Sequence, residues 1–248
     1  MEAALVERLL DLGRAALRRA AALPAEFFSP EERAALSGEL AVLPGIRVLF
    51  YGGYRRASRQ RLVLAPECLL IEAIDPGLAC FSIIAAGGKS LPKEDCLRAL
   101  CALGVPRGMI GDLLPIGGGC QAVMAAEYAE SVQAGLRRIG EAEVAVAAIE
   151  PEALQAPPIQ EKTIRSTVSS PRLDAVAADG FGVSRTKMAR LIRAGIVRVN
   201  WQPVMRPDKL LAPGDAISIR GRGRVEVVSL AGETKKGRLG LVLKRIIC

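Results

Sequence analysis

The stretch SRTKMARLIRAGIVRVN, residues 184–200, decides how the last third of the chain is read. At about 100° per residue, Met188, Leu191 and Ile192 fall within one arc of roughly 100°, the side that a helix buries. Lys187, Arg190 and Arg193 occupy a separate arc of about 120°. Ser184 predicts an N-cap, so the free N–H groups of the first turn lie beside Arg185 and Lys187, where a phosphate is favoured. Gly195 suits the left-handed position after the helix and lets the chain turn into a strand over 196–200. A basic helix face alone is more often the mark of an ordinary solvated surface. What separates the two readings is the neighbourhood: Arg172, Arg198, Lys209, Arg220, Arg222, Arg224, Lys235, Lys236 and Arg238 lie in the same short region.

The charge of the whole chain points the same way. Its 248 residues carry a net charge of +8. Residues 1–159 hold 16 Lys and Arg against 19 Asp and Glu, a net of −3, whereas 160–248 hold 18 against 7, a net of +11. A positive excess confined to one segment implies a polyanionic partner for that segment, nucleic acid or an anionic membrane surface. Half of the residues are hydrophobic, which permits a buried core and argues against wholesale disorder.

Other chemistries lose their ligands. There is no histidine, and the six cysteines form no C-x-x-C pair. Zinc sites of ordinary spacing and imidazole bases are excluded, and no metal or other cofactor is expected. Free thiols and a cytoplasmic location are the simplest reading of the cysteines. No apolar run has the roughly 18 to 20 residues that a bilayer-spanning helix needs. Acidic residues at Glu2, Glu7 and Asp11 argue against a targeting peptide at the N-terminus.

Periodicity predicts an α+β protein with several parts. A helix over 2–22 stops at Pro24, and Ser29-Pro30-Glu31-Glu32 starts a second with a capping box. Strands at 46–51 and 61–64 flank Gly52-Gly53-Tyr54 as a hairpin. From Leu78 the order is strand, helix from Pro92 to Leu103, strand at 112–116, strand at 121–125, helix at 127–139 and strand at 143–149. This is the βαββαβ order of ferredoxin-like and RRM-like domains. The expected divisions are 1–75 for N-terminal helices and hairpin, 76–150 for the RRM-like domain, 151–169 for a linker, 170–235 for the basic domain and 236–248 for a basic extension. RRM domains stack bases on aromatics in their central strands, but here Phe81 is the only aromatic in the first strand and 121–125 has none. That favours a scaffold or protein contact for the central domain.

Three segments carry a family resemblance. RLDAV at 172–176, SRTKMARLIRAGIVRVN at 184–200 and GDAISI at 214–219 resemble, in order and spacing, the S4 RNA-binding domain over about 60 residues. With FYGGY at 50–54, Gly111-Asp112 and GGGCQAV at 117–123, the whole chain resembles the YlmH family, closest to a photosynthetic branch known as photosystem II S4 domain protein. The residues themselves carry no link to photosystem II. The resemblance implies a C-terminal S4 (αL-type) domain lying against structured RNA, rRNA or tRNA, with the large ribosomal subunit as partner. It implies phosphate contacts at Arg172, Arg185, Lys187 and Arg190, with Ser184 opening the second helix, Gly195 and Asn200 shaping the turn into the strand, and Asp174 as a structural orienter. Together with the basic neighbourhood, the expected RNA-binding residues are Arg172, Ser184, Arg185, Lys187, Arg190, Asn200, Lys209, Arg222 and Arg224. No catalytic residues are expected. Two other functions stay open: an RNA-modifying enzyme with a catalytic centre in the first 150 residues, and a membrane or protein adaptor using the basic tail.

Competing motifs fail on specific residues. Ala86-Gly87-Gly88-Lys89-Ser90 lacks the earlier glycine of a Walker loop, since Ile83 stands there. Arg172-Leu173-Asp174 resembles a pseudouridine synthase motif but belongs to the first S4 helix. A tyrosyl-tRNA synthetase would need a histidine signature. Trp201 is expected to pack at a strand end.

Overall fold

The structure, a computed structural model, describes residues 3–40, 42–156, 160–219, 221–233 and 237–247. It divides into two compact units, Met1–Ala156 and Pro157–Cys248. No helix among the described residues is long and apolar enough to cross a membrane.

Unit 1 begins with α1 (Ala3–Arg19), β1 (Leu23–Phe28), α2 (Pro30–Leu40), β2 (Ile46–Tyr51) and β3 (Gln60–Pro66), the strands ordered β1-β3-β2. The capping box is formed: Glu32 N–H donates to Ser29 Oγ at 3.3 Å and Ser29 N–H to Glu32 Oε2 at 2.6 Å. Leu9 and Ala16 of α1 pack with Leu36, Leu40, Leu62 and Leu64. β2 and β3 pair antiparallel as expected, from Ile46↔Pro66 to Tyr51↔Arg61. β1 is an addition to the sequence reading. Pro24 does not end the order there, because an edge strand tolerates a residue without an N–H.

The rest of unit 1 is β4 (Leu78–Ala85), α3 (Lys93–Ala102), β5 (Ile110–Ile116), β6 (Gly119–Ala125), α4 (Ala129–Gly135), β7 (Arg138–Ile139) and β8 (Ala142–Ile149). The sheet runs β5-β6-β4-β8-β7 with all neighbours antiparallel, the ferredoxin-like order plus a short edge. α4 stops at Gly135 rather than Ile139. The chain there forms a tight hairpin in which Gly140 takes φ +58 and Ile139 opposes Ala142.

Strand alternation gives this sheet two different faces. Phe81, Ile83, Ala122 and Met124 pack under α3 and α4 with Cys96, Leu100 and Val132. Cys80, Val123 and Ala125 point the other way and meet Phe27 of β1, with Leu154 packed against them. The side on which an RRM reads RNA is thus partly covered here by other parts of the same unit, while Ile84 and Ala145 on that side stay exposed, and Phe81, the aromatic of the first strand, is buried on the helix side.

Unit 2 contains β9 (Gln160–Val168), α5 (Leu173–Phe181), α6 (Arg185–Arg193), β10 (Val197–Val199), β11 (Gln202–Pro203), β12 (Ala216–Ile219), β13 (Gly223–Glu233) and β14 (Leu239–Ile247). Its sheet is ordered β11-β10-β12-β13-β14-β9. Val176, Met188, Ile192, Val197, Ile217 and Leu243 join helices and sheet in one core. The structure differs from two expected boundaries. The linker stretch 151–169 ends in β9, and the extension 236–248 contains β14. The two strands pair from Leu239↔Val168 to Ile247↔Gln160, so β9, at the sheet edge, takes its backbone partners from β14, whose other side pairs with β13.

Candidate nucleic-acid interface

The interface is built on the start of α5, the whole of α6 and the loops that hold them. Ser184 caps α6 as expected, its Oγ accepting from Lys187 N–H at 3.3 Å. Met188 and Ile192 are fully buried, while Lys187, Arg190 and Arg193 are exposed on the other side. No described residue pairs with the side chains of these three cations. Arg193, which the resemblance did not single out, belongs to the cationic face by the helical period alone.

At the start of the two helices the charges are arranged differently. Arg172 is the N-cap residue of α5, with φ −72 and ψ 142. Its guanidinium donates to Asp174 at 3.2 Å, and Arg185 donates to the same carboxylate at 3.1 Å. Asp174 is buried, whereas both arginines retain solvent access. Burial works to raise the Asp174 pKa, but the hydrogen bonds from Arg172 and Arg185 outweigh it and hold the carboxyl below its ordinary range. Asp174 is therefore the orienter the resemblance implies: it fixes two cations side by side and leaves the outer guanidinium donors for a second anion. The backbone completes the clamp, as Leu173 N–H donates to Lys209 O at 2.8 Å and Asp174 N–H to Pro207 O at 3.0 Å. Lys209 thus contributes its carbonyl to the fold and presents an exposed side chain.

The turn after α6 is set by its backbone. Gly195 has φ +69 and Asn200 φ +49. Asn200, expected both to shape this turn and to contact RNA, has its side chain engaged within the protein: Nδ2 donates to Asp215 at 2.8 Å and Oδ1 accepts from Ala216 N–H at 2.9 Å. Trp201 follows at φ +68, with the Arg224 guanidinium 5.5 Å from its ring centroid. Arg224 also pairs with Glu226. Trp201 is a half-buried packing surface, and Arg224 is bound to it. Arg222 stands exposed in the turn between β12 and β13. Arg220, Lys235 and Lys236 lie outside the described residues.

The expected contacts thus separate into three groups. Lys187, Arg190, Lys209 and Arg222 present free charge. Arg172 and Arg185 present charge steadied by Asp174. Asn200 and Arg224 are occupied by the fold, and Ser184 acts through its cap. Among the described residues, no cluster of three or more His, Cys, Asp or Glu could hold a metal ion.

Family models match along the chain: YlmH, N-terminal, over 2–69; putative RNA-binding domain in YlmH over 89–153; and S4 domain over 171–217. The chain is 33% identical over 245 residues to the ribosome-associated protein quality control protein P2 of Bacillus subtilis (strain 168), covering 98% of this chain and 95% of that protein. A solved structure of cell division protein ylmH from Streptococcus pneumoniae is 20% identical, covers 62% of this chain and 98% of its own, and has a TM-score of 0.49.

Proposed function

The chain belongs to the YlmH family, and from that premise we propose that it binds structured RNA through the α5–α6 face of its S4 domain, as a ribosome-associated factor. The observation that carries this reading is the cationic side of α6, which is exposed and, among the described residues, without acidic partners, beside the Asp174-held pair Arg172 and Arg185. Such a surface recognises phosphates, so affinity comes from charge and selectivity from the shape of the folded RNA. The finer parts of the proposal are an rRNA or tRNA target, attachment to the large ribosomal subunit and a cytoplasmic role in ribosome quality control. The name of the Bacillus relative supports that role. Binding is the function, without a catalytic step: the groups presented by this face are cations rather than an acid and base pair. Crosslinking the protein in cells and sequencing the attached RNA tests the proposal. Reads concentrated in ribosomal or transfer RNA, and lost in a Lys187→Ala/Arg190→Ala variant, are expected; reads spread over messenger RNA in proportion to abundance contradict it.

A further inference from the structure

Three sequence motifs that the S4 face does not use converge in unit 1. Gly52, Gly53 and Tyr54 follow β2, Gly111 and Asp112 lie in β5, and Gln121 and Val123 lie in β6. Asp112, only 4% exposed, accepts from Tyr54 Oη at 2.7 Å, from Ser58 N–H at 2.6 Å and from Arg59 N–H at 3.1 Å. Gly53, at φ +84, lies flat against Val123 and Leu154: a Cβ there would stand 3.5 Å and 3.4 Å from them. Gln121, also buried, ties down the other wall, donating to Ala153 O at 3.1 Å and accepting from Gln155 N–H at 2.6 Å. The result is a loop, 51–59, and a segment, 151–155, both fixed by side chains from beneath.

Between them is an open hollow of about 560 Å³. That is within the range of small-ligand sites, roughly 300 to 1,000 Å³. Its lining combines four kinds of chemistry. Tyr51, 45% exposed, offers an aromatic ring, and Pro151 with Leu154 supplies an apolar wall. Arg55 and Arg56 are exposed, and Arg55 has no ion pair among the described residues. Gln60 and Glu152 add hydrogen-bonding groups. A planar base wants the first two, a phosphate the third, and the base edge or ribose hydroxyls the fourth.

We propose that this hollow binds an unpaired ribonucleotide, its base against Tyr51 and the Pro151–Leu154 wall and its phosphate against Arg55 and Arg56. The site goes beyond the S4 reading and does not depend on it. It also gives unit 1 a place to meet RNA other than its sheet face, part of which Phe27 and Leu154 cover. Free nucleotides and unpaired nucleotides within an RNA strand share this chemistry, and competition separates them.

The test uses the full-length protein and an unstructured oligoribonucleotide of about eight residues carrying 4-thiouridine, a length within the span such sites engage. Photocrosslinks are mapped to peptides. Crosslinks at 51–56 or 151–154 are expected, with a loss of about tenfold or more in Tyr51→Ala/Arg55→Glu/Arg56→Glu and retention in Tyr51→Phe, which keeps the ring. Arg55 makes no hydrogen bond or ion pair among the described residues, so Arg55→Glu alone should keep the fold, checked by an unchanged melting temperature, and still lower the yield. Lys187→Ala/Arg190→Ala/Arg193→Ala leaves these crosslinks unchanged, which keeps the site's fate distinct from that of the S4 face. Competition by a mononucleotide at matched nucleotide concentration assigns the hollow to free nucleotides; competition by oligonucleotide alone assigns it to an RNA strand. Absence of crosslinks at either wall, or an unchanged yield in the triple variant of the hollow, overturns the proposal.

Discussion

Arg61 in unit 1 and Arg190 in unit 2 carry the same guanidinium and use it in opposite ways. Arg61 is 1% exposed and donates to Ala25 O at 2.8 Å, to Pro76 O at 3.5 Å, to Gly77 O and to Glu127 at 2.6 Å. It holds β1, β3 and the entry to the central sheet together, and none of its charge is left for a ligand. Arg190 stands in water with no described partner and contributes little to folding. Between these limits lie Arg172 and Arg185, which share one buried carboxylate and remain partly open. Positive charge in this protein is thus graded from structural to available, and a count of basic residues does not reveal the grade.

Changes along this series test the distinction. The largest effect on stability is expected for Arg61→Ala, which leaves buried carbonyls without donors; unit 1 should lose about 3 kcal/mol. Urea unfolding followed separately for the two units checks it, with the unit 2 transition unmoved. A smaller loss, about 2 kcal/mol in unit 2, is expected for Asp174→Ala, because two charged hydrogen-bond partners are released toward solvent rather than buried. The pH dependence has a definite sign. Asp174 has a lowered native pKa, so the stability from its pairing is complete above the ordinary carboxylate range and disappears as pH falls through the lowered value. Thermal melts of wild type and Asp174→Ala should therefore differ at neutral pH and converge in acid.

How much of this was legible in sequence depended on distance along the chain. The two faces of α6, its cap and its terminal glycine are local and followed from periodicity. So did the ferredoxin-like order, because each strand and helix carries its own pattern. β9 and β14 were not legible as one ladder, since more than seventy residues separate partners such as Val168 and Leu239. Asn200 looked like a ligand group because nothing nearby shows that Asp215 and Ala216 occupy it. The covering of the RRM-like sheet by Phe27 and Leu154 likewise joins residues from opposite ends of unit 1. The motifs at 50–54, 111–112 and 117–123 were visible as signatures, while their meeting at Asp112 and Gln121 is a product of topology.

The smallest change in stability, within about 0.5 kcal/mol, is expected for Lys187→Ala/Arg190→Ala/Arg193→Ala, whose side chains only face water. The same variant gives the most direct test of the account. Each phosphate contact on duplex RNA should contribute roughly 0.9 to the slope of log affinity against log salt, taking the duplex DNA value as a guide. Measured on a folded RNA, the slope should become shallower by about 2 to 3 in the triple variant, with weaker binding to every RNA tested. An unchanged slope in a folded variant would contradict the assignment of this helix face to RNA phosphates.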